Sequence, residues 1–271
     1  MPAIHIDRLV QQIQTIFEPE SPGPIFRENF RSLLDVHANL AYRAGVEVQR
    51  KSLVPKLHLA PIVMNHLIQQ FSSLAKMKPE LALEYADQLW LEDLYEARLF
   101  SAVILGALPV AYNSEIIERF VAWGSKTSDK EIHQILFKFG TQNIKQSSST
   151  KWLNTIQSWV DSTGVPQALT AIYALQTLIN DPSFINLPKV FSILTPLFSM
   201  NNRKITSGLT LLVDDLALTN PIETSHYLSN LLLSSSFSTP KQIIRKCLKS
   251  FPIDEQKKLR TALSNISDEE T

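Results

Sequence analysis

The stretch Glu84–Leu108, EYADQLWLEDLYEARLFSAVILGAL, reads as two amphipathic helices joined by a short acidic link, LEDLY, at residues 91–95. Leu83, Ala86, Leu89 and Trp90 share a face of the first helix, and Leu99, Ala102, Val103 and Leu105 share a face of the second. The same helix, short joint and helix layout recurs outward in both directions. Upstream, Ile4, Leu9, Ile13, Ile16 and Phe17 are spaced for one helical face, which ends at Pro19 and the SPGP that follows. A second helix starts near Pro24 with Phe26, Phe30, Leu33, Leu34, Val36 and Leu40 as its stripe. The basic connector VQRKSLVPK then leads to a helix from about Leu59 to Lys76, with Pro61 in its first turn.

Downstream, helices are expected at Ser114–Trp123, Ser128–Phe139, Thr150–Val160, Pro166–Ile179, Leu187–Phe198, Lys204–Leu218, Pro221–Leu233, Pro240–Phe251 and Asp254–Leu263. Ser128 with Glu131 has capping-box spacing, and Asn220, Pro221 and Glu223 combine a cap, a first-turn proline and a first-turn acid. Asp129 reads as a first-turn residue stabilised by the helix dipole. The polar runs QSSST at 146–150 and SSSFSTP at 234–240 read as loops, neither long enough to separate independent domains. Helix pairs at intervals of roughly 30 to 45 residues, with no strict signature, predict an all-α curved solenoid of HEAT-like or armadillo-like antiparallel pairs. The expected organisation is one repeat domain over 1–271, with an N-terminal helical pair at 1–50 and a disordered tail at 265–271.

Composition agrees with this class and removes others. Hydrophobic residues at 44% and charged residues at 19% suit a soluble folded chain rather than a disordered or membrane one. Seven glycines in 271 residues disfavour phosphate-cradling loops and hairpin-rich sheets, and neither GxxxxGK[ST] nor GxGxxG occurs. The amino terminus lacks the basic start and apolar core of a signal peptide, and no apolar run is long enough for a span. A cytoplasmic, bacterial-type protein without membrane contact is therefore the expectation. The single cysteine, Cys247, is expected to be a buried and inert thiol. Six scattered histidines, without HExxH or cysteine partners, predict no metal site, and no cofactor is expected. Asp214 and Asp215 are adjacent, about 100° apart on a helix, and read as a solvated pair.

Within ALEYADQLWLEDLYEARLFSAVILGAL, a helix ending in Leu89-Trp90, a short joint, and a helix opening on Glu96 and Arg98 before a small apolar run resemble the HEAT-like repeat family of bacterial DNA alkylation repair glycosylases. The upstream LHLAPIVMNHLIQQFSSLAK looks like that family's preceding helix, so the likeness covers about residues 55–110. It implies a HEAT-like fold and, if the groove residues are present, excision of alkylated bases. The family pattern would place a tryptophan and an aspartate one turn apart, then an arginine on a later helix. Here Trp123 and Asp129 are six residues apart around Gly124, and no arginine occurs between Arg119 and Arg203. The resemblance thus implies a relative that kept the scaffold, with a glycosylase for 3-methyladenine or 7-methylguanine as the alternative. Read from spacing alone, Glu96 and Arg98 point about 200° apart and cannot pair within their helix, so each reaches the joint or a neighbour. Trp90, Glu96 and Arg98 are accordingly expected to be structural.

The net charge is zero, with 26 basic and 26 acidic residues, so a polyanion site requires a local concentration of charge. Glu80, Glu84, Asp87, Glu92, Asp93 and Glu96 form an acidic run with no base among them. At the other end, Lys241, Arg245, Lys246, Lys249, Lys257, Lys258 and Arg260 stand against Asp254 and Glu255. Lys241, Arg245 and Lys249 recur every four residues and would form a ridge on one helix, either a solvated face or a strip meeting phosphates or an acidic protein. Trp152 and Trp159, seven apart, share a helical face as core residues or as a stacking platform near a groove. With Trp123, these are the candidate binding residues, for double-stranded DNA or a protein partner on a concave face. No catalytic residue is assigned.

Overall fold

The structure, a computed structural model, describes residues 6–17, 20–39, 53–127, 129–162, 164–181, 184, 186–234 and 238–269. Among them the chain forms 14 α-helices and three short 3-10 turns, with no strand. The helices are α1 (Ile6–Phe17), α2 (Gly23–Val36), α3 (Pro61–Met77), α4 (Pro79–Trp90), α5 (Tyr95–Ala107), α6 (Asn113–Gly124) and α7 (Lys130–Gly140). They continue as α8 (Gln142–Asp161), α9 (Val165–Ile179), α10 (Leu187–Leu194), α11 (Arg203–Thr219), α12 (Pro221–Ser234), α13 (Ser238–Cys247) and α14 (Ile253–Glu269). No single helix among the described residues is long and apolar enough to cross a membrane.

The chain divides into two compact units, Met1–Phe120 with Thr127–Ser149, and Val121–Lys126 with Thr150–Thr271. In the first unit α5 is the central element, because Leu99, Phe100, Ala102, Val103, Ile104 and Leu105 are apolar nearly all round and buried. It packs against α3, α4 and α7. Its crossing with α7 is close: a Cβ at Gly106 would lie 1.9 Å from the Phe139 carbonyl oxygen, so glycine is required there. Beside α5, Phe17, Phe26, Phe30, Phe71, Tyr85 and Phe100 interlock, with Phe26 stacked on Tyr85 at 3.7 Å between ring centres. In the second unit α9 and α11 form the corresponding apolar layer, and α11 packs on α12 and α13 while α12 packs on α14.

Several sequence expectations need correction. The expected loop at 146–150 is helix, because α8 runs unbroken from Gln142 to Asp161. The N-cap of α7 is Asp129, whose side chain accepts the Glu131 amide at 2.9 Å; Ser128 lies outside the described residues. The tail expected from 265 onward continues α14 to Glu269. Of the 234–240 loop, residues 235–237 lie outside the described residues and α13 already begins at Ser238. Asp214 and Asp215 are not a solvated pair: Asp214 accepts Ser250 Oγ at 2.8 Å, whereas Asp215 accepts the Gln176 side chain, so each ties α11 to a different segment. Cys247 is fully buried, with its Sγ donating to the Thr210 carbonyl at 3.4 Å. Burial and the neighbouring Asp214 carboxylate push that thiol well above its ordinary range, away from reactivity.

Candidate functional site

The joint quoted at the outset and the start of α5 are bonded to the 53–60 connector. Helix α5 starts at Tyr95 without a side-chain cap, and its first amide is free of any intrahelical acceptor. The connector supplies one, since Tyr95 N–H donates to the Pro55 carbonyl at 3.0 Å. One residue later, Glu96 is 4% exposed, and its Oε1 accepts both the Leu57 and the His58 amides at 2.9 Å. His58 itself has φ 53, in the left-handed region. Further along the connector, Leu53 N–H donates to Asp129 Oδ2 at 2.7 Å, and the Leu57 carbonyl accepts the Asn39 amide at 2.8 Å. Lys56 pairs with Glu131 while its ammonium sits 4.3 Å above the Tyr95 ring. Burial first, then the Glu131, Glu96 and Asp129 carboxylates, push the Tyr95 phenol up to about 12.

Arg98 turns the other way, into the joint. Its Nη2 donates to Asp93 Oδ1 at 3.1 Å and its guanidinium lies 5.6 Å from the Trp90 ring centre. Trp90, Glu96 and Arg98 therefore hold the α4–α5 joint and the 53–60 connector together. The remainder of the acidic run is matched by partners distant in sequence. Glu84 Oε1 accepts the Gly23 amide at 2.7 Å, at the start of α2. Asp87 takes a two-pronged contact from Arg119 at 2.8 and 2.6 Å. Glu92 pairs with Arg27 at 3.2 Å and with Arg31 at 3.6 Å. The run that looked uncompensated in sequence is, apart from Glu80 and from Asp93, which pairs with Arg98 in the joint itself, matched by other segments. The resemblance singles out Glu96 and Arg98, and Asp129 reads in sequence only as a first-turn residue; that Asp129, Tyr95 and Lys56 all meet the connector region is not visible in sequence, because it depends on the path of the connector.

In the second unit, Trp152 and Trp159 lie edge to face at 5.5 Å and 87°, and Trp152 is 1% exposed. Trp123, at the end of α6, is also buried. All three rings are core side chains, without an open face for a base. Trp123 and Asp129 lie on different elements, as their spacing implied. The basic ridge is shorter than expected: α13 ends at Cys247, and Lys249 sits in a 3-10 turn, Leu248–Ser250, where the four-residue repeat no longer keeps one face. Lys241 is partly buried, while Arg245, Lys246 and Lys249 are exposed. No described residue forms a salt bridge or hydrogen bond with those three cations. On α14, Lys258 pairs with Glu255 at 2.7 Å and Lys257 with Asp254 at 3.6 Å. Lys258 and Ser225 together hold the Glu255 carboxyl below its usual range.

Among the described residues no group of three or more His, Cys, Asp or Glu side chains is placed to hold a metal ion. The likeness of residues 55–110 to the alkylation repair glycosylases rests on the quoted residues alone. No family model, no curated protein and no solved structure matches the chain.

Proposed function

We propose that the protein is a helical-repeat binding scaffold that holds an anionic partner and performs no chemistry of its own. The observation that carries this reading is the contrast between its charges. Acidic side chains of the first unit are spent on contacts within the fold, whereas Arg245, Lys246 and Lys249 stand exposed without a partner among the described residues, in a chain of zero net charge. The scaffold is read as HEAT-like because helices pack on their next-but-one neighbours within each unit, α3 on α5 and α5 on α7, then α9 on α11 and α11 on α13. Glu96, whose carboxylate anchors the connector, and Arg98, which bonds Asp93 and lies over the Trp90 ring, support a structural role for the family-like joint.

The alternative, an alkylated-base glycosylase, is favoured by the order Leu89-Trp90, Glu96, Arg98 in that joint. Purified protein incubated with alkylated duplex DNA separates the two. The scaffold reading expects no release of 3-methyladenine or 7-methylguanine above a no-protein control. Robust excision that survives repurification overturns it.

A further inference from the structure

We infer that one end of the second unit, where the α11–α12 and α13–α14 turns lie side by side, is a docking surface for an acidic amphipathic segment of a protein partner. This deepens the scaffold reading and rests on it. Two hydrogen bonds place the turns together: Ser250 Oγ donates to Asp214 on α11, and Ser225 Oγ on α12 donates to Glu255 on α14. Helices α12 and α14 thus start next to one another. At these turns three aliphatic side chains face solvent: Leu218 at 71%, Ile222 at 64% and Ile253 at 72% exposure. Their positions are local consequences of the fold. Leu218 is the penultimate residue of α11, Ile222 the second of α12 and Ile253 the first of α14, all beyond the reach of the buried layer.

Three cations without a partner among the described residues lie on the last turn of α13 and in the turn that follows it. Lys249 immediately precedes Ser250, and Arg245 and Lys246 lie in the last turn of α13. Four carboxylates also belong to the region. Asp214 is engaged by Ser250, Glu255 by Ser225 and Lys258, and Asp254 by Lys257; Glu223 is exposed. Three cations without a partner among the described residues therefore outweigh Glu223, the one of these four acids without a partner there, and the complementary surface is anionic. It must also be apolar. A phosphate backbone offers nothing to cover Leu218, Ile222 and Ile253, whose burial is the larger gain. An anionic lipid surface would cover them but would bring its charge against Glu223 and Asp254. A protein helix with carboxylates on one side and leucines on the other satisfies both sets and leaves those acids at the rim.

The probe is a fluorescent synthetic amphipathic helix with leucine on one face and glutamate on the other, titrated by anisotropy against the full chain. A helix with lysine in place of glutamate, a DNA duplex, and phosphatidylcholine vesicles containing phosphatidylserine are run in parallel. Saturable, salt-weakened binding of the acidic helix is expected. Both R245Q/K246Q/K249Q and L218S/I222S/I253S should weaken it about tenfold or more, with circular dichroism and unfolding midpoints near those of the parent chain. Absence of saturable binding overturns the proposal. So does binding unchanged in either triple variant, or tighter binding of the duplex or the vesicles. Base release is measured on the same preparation, so failure of the scaffold reading is seen as excision whatever the peptide does.

Discussion

Replacing Glu96 by alanine strips the connector of its central anchor. The carboxylate is 4% exposed and its Oε1 accepts two amides, Leu57 and His58, each at 2.9 Å. Hydrogen bonds to a charged group contribute about 1.5–3 kcal/mol each, and here two share one oxygen, so their joint loss is set at about 3 kcal/mol. The loss falls first on the connector, because α5 keeps its own apolar packing. Glu96→Gln retains an acceptor oxygen in the same place and forfeits only the charge, at about 1 kcal/mol. Native-state hydrogen exchange reads both variants residue by residue. In Glu96→Ala the opening free energy at the Leu57 and His58 amides should fall by about 3 kcal/mol, while amides in α9 and α11 keep their protection. Glu96→Gln should fall between the parent and the alanine variant. Unchanged protection at Leu57 and His58 in the alanine variant would show that the connector is held by something other than this carboxylate.

Gly106→Ala should destabilise the first unit by about 3 kcal/mol or more in urea unfolding, since the new methyl would meet the Phe139 carbonyl oxygen and force α5 and α7 apart. Asp129→Ala removes the α7 cap and the Leu53 anchor together, an expected loss of about 2 kcal/mol that Asp129→Asn should partly restore. Tyr95 has a folded pKa raised from 10.0 to about 12, so the stability it contributes is complete below pH 10 and is lost as the pH rises through about 12. Tyr95→Phe should therefore show a shallower fall in stability across that window than the parent chain. Trp152→Ala should lower the unfolding free energy of the second unit by about 3–5 kcal/mol, as expected for a large core side chain; a variant of parental stability would return Trp152 to the candidate binding residues.

Helix positions and the joint at 91–95 were legible in the sequence because they depend on neighbours within a turn or two. Apolar spacing at 3.6 residues marks a face, and a first-turn proline marks a start, as at Pro61 and Pro221. The same locality explains the errors. Thr127, Ser128 and Asp129 are three consecutive cap formers, and spacing to Glu131 favoured Ser128, whereas the cap is Asp129, which also holds the Leu53 amide. QSSST looks like a loop by composition, yet the weak helix formers in it are carried inside α8. What only the tertiary structure decided is where the charges go. Glu84 meets an amide 61 residues away, Asp87 meets Arg119, and adjacent Asp214 and Asp215 diverge to separate partners. A side chain's helical face is set by the residues beside it, but its partner is set by which helices pack together. That packing is a sum over many apolar contacts scattered through the chain, and no single stretch of sequence contains it.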